Sequence, residues 1–130
     1  MIEYTVRVYD NRTEWRLKGN LHREDGPACE YANGDKAWYK NGLLHRENGP
    51  AFTEVGYSKF WCKNGKYHRE DCPACELVSG TKYWCKNGKY HRLDGPAIEY
   101  AAGGKEWWIN DIELSEESYL TYLADISQKD

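Results

Sequence analysis

The chain contains no long apolar run, which excludes a membrane-spanning helix of ordinary length. The opening segment Met1-Ile2-Glu3-Tyr4-Thr5-Val6-Arg7 holds no apolar block of signal-peptide size, so a cytoplasmic protein is expected. There is no surplus of positive charge: 18 Lys and Arg stand against 21 Asp and Glu, a net charge of −3. Binding to nucleic acid or to an anionic membrane needs clustered excess Lys and Arg, and neither partner is expected. The five cysteines are an odd number without an export signal, which reads as reduced thiols and not a disulfide framework. No nucleophile–base pair has a distinctive context, and every glycine is accounted for by turns and bends, leaving none for a phosphate-cradling loop. No catalytic residue, no cofactor and no enzymatic activity are therefore expected.

What the chain has in quantity is Trp and Tyr, six and eleven in 130 residues, and they are placed with a period. Trp15, Trp38, Trp61, Trp84 and Trp107 are each 23 apart; so are His22, His45, His68 and His91, and so are Pro27, Pro50, Pro73 and Pro96. The reading is a single repeat domain over residues 1–130. A divergent unit covers 1–27, full units cover 28–50, 51–73 and 74–96, and a partial unit covers 97–111. Asn33-Gly34 and Asn41-Gly42 each sit between strand-like segments, and Asn-Gly in a two-residue loop is a strong hairpin signal because a type I′ turn needs φ > 0 twice. Asn64-Gly65 and Asn87-Gly88 repeat the second turn; Ser79-Gly80 and Ala102-Gly103 repeat the first, while Gly56-Tyr57 suits type II′. Ser115 followed by Glu116 and Glu117 predicts a capping helix within 115–127, with Leu120, Leu123 and Ile126 at helical spacing. The fold class expected is mainly all-β: an elongated, twisted antiparallel sheet of repeated β-hairpins with a short C-terminal capping α-helix.

The phrase Trp-x-x-Asn-Gly-x-x-His, followed by a Gly-containing bend and a second Asn-Gly, resembles the MORN repeat, whose period is also 23. The likeness covers about residues 5–111. Where the family has His-Gly-x-Gly, this chain has His-Arg-x-Asp-Gly-Pro-Ala, as in His22-Arg23-Glu24-Asp25-Gly26-Pro27-Ala28. That variant is associated with bacterial, bacteriophage and large-virus proteins. The resemblance implies a β-hairpin ribbon serving as a scaffold, dimerisation element or adaptor. It implies an architecture more firmly than a task.

Two-residue turns would set Cys29 opposite Trp38, Tyr31 opposite Lys36, and Trp38 opposite His45. One face then carries the Trp and His columns with Val6, Val8, Cys29, Tyr31, Phe52, Cys75, Leu77, Ile98 and Tyr100, and is expected to be the core. The other carries the alanines after each proline with Glu30, Glu76 and Glu99, and also Tyr39, Leu44, Phe60, Tyr67, Tyr83, Tyr90 and Trp108. Such an aromatic and carboxylate mixture fits an interface, or else cross-strand pairing that stabilises a thin sheet.

Each histidine opposite a Trp is read as a packing and hydrogen-bonding element, since equivalent strands two apart lie ~10 Å from each other, too far to share a zinc. The same spacing, ~10 Å, separates Cys62 from Cys85, beyond disulfide reach. Cys72-Pro73-Ala74-Cys75 is a CxxC without the second pair a structural zinc needs, so no metal is expected. Arg23, Arg46, Arg69 and Arg92 either stitch the bends or form a row of guanidinium groups able to hold phosphate. The expected function is a non-enzymatic protein–protein interaction module, scaffold or inhibitor, in one setting a phage or viral protein blocking a host defence complex in the host cytoplasm. Its partner-binding residues would be Tyr39, Phe60, Tyr67, Tyr83, Tyr90 and Trp108, used for a protein partner or for homodimerisation. The alternative is a nucleotide or phosphate-ligand binder with a Trp, His and Arg groove.

Overall fold

A computed structural model describes residues 2–128; Met1 and residues 129 and 130 lie outside it. Each repeat holds two hairpins in series, closed by different turns. In the first, Cys29–Tyr31 runs antiparallel to Lys36–Ala37, with Cys29 opposite Ala37 and Glu30 opposite Lys36. The Gly34 amide donates to the Tyr31 carbonyl at 2.9 Å and the Tyr31 amide donates to the Asp35 carbonyl at 2.9 Å. Gly34 alone is left-handed, at φ +99°; Asn33 is not. This is a three-residue loop with glycine as the bulge residue. Gly80 and Gly103 close the same loop through Leu77 and Tyr100. Gly56 closes a three-residue loop of type II character between Glu54 and Ser58, not the expected type II′ turn.

The second hairpin has the expected two-residue turn. Tyr39–Lys40 pairs with Leu43–Leu44 around Asn41 at φ +51° and Gly42 at φ +82°. It recurs at Asn64-Gly65 and Asn87-Gly88, and in the outer units at Lys18-Gly19 and Asn110-Asp111.

The extra residue in the first loop overturns the expected faces, because a slip of one moves every later side chain to the other side of the sheet. Cys29 faces Ala37, not Trp38. The Trp amides instead bond the alanines after the prolines: Trp15 to Ala28, Trp38 to Ala51, Trp61 to Ala74 and Trp84 to Ala97, at 2.6 to 2.7 Å. Those alanines are fully buried.

The first hairpins join edge to edge, always to a sequence neighbour, in a long antiparallel sheet that runs from Thr5–Val8 to Ile112–Leu114 and does not close into a barrel. Two rows cross it. One reads Glu14, Cys29, Ala37, Phe52, Phe60, Cys75, Tyr83, Ile98, Glu106. The next residue along each strand gives the row on the opposite face: Thr13, Glu30, Lys36, Thr53, Lys59, Glu76, Lys82, Glu99, Lys105. The first row is the core and the second is charged, the alternation an antiparallel sheet with one wet face should show.

The second hairpins form a ladder of their own. The amides of Gly42, Gly65, Gly88 and Asp111 donate to the carbonyls of Leu21, Leu44, Tyr67 and Tyr90, at 2.8 to 2.9 Å. This ladder meets the core row through aromatic contacts: Phe60 to Tyr67 and Tyr83 to Tyr90, each at 5.9 Å between ring centres. The core is thus a thin seam in which Cys29, Ala37, Cys62, Cys75, Cys85 and Ile98 are nearly inaccessible. Val6, Val8 and Tyr100 do not belong to it; Val8 is 79% exposed, and Tyr31 and Leu77 are half-buried. At the N-terminal end the row begins with a buried carboxylate. Glu14 accepts from Arg12 at 2.8 Å and Arg16 at 3.0 Å, and the Arg12 hydrogen bond holds its carboxyl below the usual range.

The helix spans Glu116–Ser127. The Ser115 hydroxyl accepts from the Ser118 amide at 3.1 Å, the N-cap expected, with Glu116 and Glu117 in the first turn. It docks chiefly through Tyr119, however: Tyr119 is 1% exposed, whereas of the expected stripe Leu123 is half-buried and Leu120 is 57% and Ile126 36% exposed. The Tyr119 hydroxyl donates to the Arg92 carbonyl at 2.6 Å and accepts from the Gly95 amide. Among the described residues no helix is long and apolar enough to cross a membrane.

Candidate functional site

The bend His-Arg-x-Asp-Gly-Pro-Ala builds the same constellation in each unit. The chain reverses at the glycine, which brings arginine back over the tryptophan of its own repeat. Arg23, Arg46, Arg69 and Arg92 stand over Trp15, Trp38, Trp61 and Trp84, with guanidinium carbons 4.1, 3.9, 3.8 and 3.7 Å from the ring centres. Each donates to the carbonyl of the proline that follows, at 3.0 to 3.3 Å. The glycine eases this approach without being required by it: a Cβ at Gly26, Gly49 or Gly95 would come 2.7, 2.8 or 2.9 Å from the arginine carbon, yet Arg69 stacks on Trp61 with Cys72 at that place. Cys72 belongs to the second full unit, 51–73.

The same guanidinium groups reach across to the charged row. Arg23 meets Glu30 at 3.1 Å, Arg69 meets Glu76 at 2.9 Å and Arg92 meets Glu99 at 2.8 Å. These partners lie seven residues on; only Arg92 also bonds closely to its bend acid, Asp94, at 2.9 Å. Among the described residues Arg46 has no carboxylate, since its position seven residues on is Thr53 and its bend acid is replaced by Asn48. Burial draws Arg46 below the usual guanidinium range.

The histidines are staples between units. Nδ1 of His22, His45, His68 and His91 accepts the backbone amide of Asn41, Asn64, Asn87 and Asn110, at 2.9 to 3.1 Å. In the first three, Nε2 faces Glu24, Glu47 or Glu70 at 2.7 to 2.8 Å. An Nδ1 that accepts leaves the proton of the neutral ring on Nε2, so these Nε2 atoms donate to the carboxylates. Those hydrogen bonds hold the Glu47 and Glu70 carboxyls below their usual range.

The six predicted partner-binding residues come together, but on the face opposite to the one expected. Phe60 and Tyr83 belong to the core row; Tyr39, Tyr67, Tyr90 and Trp108 stand on the adjoining ladder. Tyr90 lies 5.2 Å from Trp108 and Phe52 lies 5.9 Å from Phe60. They form a strip above the thiol seam. Five of them are half-buried, Tyr67 is 45% exposed, and an apolar cleft of about 210 Å³ opens beside Phe60 and Tyr67.

Four of the five cysteines, Cys29, Cys62, Cys75 and Cys85, are core groups. Cys72 of the CxxC is exposed and Cys75 buried. Cys75 hydrogen-bonds to Cys85, and that bond with burial pushes its thiol far above the ordinary range. Burial pushes Cys62 up to about 11. Thiols held protonated in this way are poor nucleophiles and poor metal ligands. Between successive bends lie clefts of about 360, 480 and 260 Å³, each with a Trp, a His and two Arg on its walls.

The residue sequence reasoning missed is the carboxylate seven positions after each arginine. The signal was present: Arg23 and Glu30, Arg69 and Glu76, Arg92 and Glu99 share one spacing, broken only at Thr53. No protein-family model, curated protein or solved structure matches the chain.

Proposed function

We propose that this chain is a non-enzymatic protein–protein interaction module, a scaffold or inhibitor of MORN-like design, which binds its partner through the aromatic strip. The observation that carries this reading is the strip itself. Phe60 and Tyr67 adjoin, as do Tyr83, Tyr90 and Trp108, and Tyr39 stands on the same ladder on that side of the ribbon, none of the six fully buried. Tyr and Trp are the side chains that contribute most at interfaces, because they offer large, rigid apolar area with a polar tip. A single-layer ribbon also leaves its two edge strands available for backbone pairing. The sequence variant supports a phage or viral setting, in which the partner would be a host complex.

The test is solution mass by light scattering, together with capture from a host lysate, for the native chain and for Tyr67→Ser with Tyr90→Ser. A dimer that dissociates on substitution assigns the strip to self-association. A monomer whose captured protein is lost on substitution assigns it to a partner. Unchanged mass and capture in a folded variant sink the assignment.

A further inference from the structure

The repeat supplies its own control for one position. In three of four units the guanidinium stacked on tryptophan is closed off by a carboxylate of the charged row, Glu30, Glu76 or Glu99, at 2.8 to 3.1 Å. In the remaining unit the backbone, the stacking and the proline carbonyl bond are all preserved around Arg46, but Thr53 stands where the carboxylate belongs.

The charged row shows the same gap independently. Along it, Glu and Lys alternate from strand to strand: Glu76, Lys82, Glu99, Lys105. Around Thr53 the alternation fails, since its two cross-strand neighbours are Lys36 and Lys59, both exposed. Three cations therefore surround a position without an acid, on a chain whose net charge is −3. The nearest bend acid, Glu47, is already taken by His45 at 2.7 Å and Lys63 at 3.4 Å.

From this we infer that Arg46, Lys36, Lys59 and the face of Trp38 form a receptor site for one external carboxylate. It would be presented by an acidic side chain of a protein partner. The Glu side chains of the sister units mark where that carboxylate sits and how it is held: a charge-assisted bond from Arg46, flanked by two lysines. The site lies on the wet face of the sheet, not on the side of the aromatic strip. It rests on the interaction-module reading only for the source of the carboxylate.

The experiment uses the chain alone. An acetylated hexaglutamate peptide is titrated at constant ionic strength while the arginine Nε–H and Trp indole N–H signals are followed by NMR. Saturable shifts are expected at Arg46 and Trp38, with Arg23, Arg69 and Arg92 unmoved. Thr53→Glu, which restores the sister arrangement, should weaken the peptide about tenfold or more, the loss expected for one charge-assisted hydrogen bond. It should also raise the melting temperature. Arg46→Gln should abolish the shift at Trp38. Three results would overturn the inference: equal shifts at all four arginines, undiminished binding by Thr53→Glu, or inorganic phosphate matching the peptide at equal concentration. Because the Tyr67→Ser, Tyr90→Ser variant keeps this site, its response to the peptide is independent of whether the aromatic strip binds anything.

Discussion

At the scale of single residues, four arginines do the work that a hydrophobic core does in thicker proteins. Each covers an indole on a sheet with no second layer there, and adds hydrogen bonds that fix the bend. Lysine carries the charge but not the flat, forked group that stacks and bonds at once. Arg69→Lys is expected to lower stability by about 1 kcal/mol. The same change at Arg46, which has no carboxylate to lose, should cost less; urea midpoints of the two variants give the comparison. Histidine makes the molecule sensitive to acid. Burial first and Lys86 second draw His91 below the ordinary imidazole range, and its Nδ1 must stay unprotonated to accept from Asn110. The unfolded chain therefore binds more protons once the pH falls through about 6.5. The His91 contribution is complete above that value and is lost as the pH drops through the folded one. Denaturant midpoints should fall between pH 7.5 and 5.5. His91→Gln, which keeps an acceptor and does not titrate, should flatten part of that fall; an unaltered slope would refute the account.

At the scale of elements, the repeat, its length, the second turn and the helix cap were all legible because each depends on local chemistry. The first turn was not. Asn33-Gly34 and Asn41-Gly42 are the same dipeptide, yet one ends a three-residue loop and the other forms a two-residue one. The dipeptide records only that Gly needs positive φ; whether Asn also does depends on the strands it joins. That single residue reversed the faces, moving Trp38 away from Cys29 and placing Phe60 beside Cys75. The aromatic residues do share one side of the ribbon, as grouped from the sequence, while the core beneath them was assigned to the wrong side. Where the type I′ turn does form, the sister units show its preferred residue. Lys18 holds φ +51° where the four others hold Asn. Since Asn tolerates this region best among non-glycine residues, Lys18→Asn should stabilise by about 0.5 kcal/mol, read as a higher melting temperature.

At the scale of the whole molecule, a ladder must end, and the two ends are finished differently. The N-terminal end carries Glu14 clasped by two arginines, and Tyr4 accepts the Glu24 amide at 2.9 Å. The C-terminal end carries the helix, whose hold is concentrated in Tyr119. Tyr119→Ala removes a fully buried ring and two hydrogen bonds to the last bend, a loss of about 3 kcal/mol. In a linear array that loss stays near the end where it occurs. Hydrogen exchange should quicken across residues 92–114 and be little changed before residue 60. Uniform acceleration along the chain would instead mean a single cooperative block.

The strands of the long sheet follow one another in chain order, the pairs between units stepping over only the intervening second hairpin, and the bonds that link one unit to the next reach back about one repeat, as from Gly42 to Leu21. Sheet proteins usually wait for distant segments before they can assemble. Here a nascent chain can settle each unit as soon as the next has left the ribosome, so growth of the fold keeps pace with synthesis.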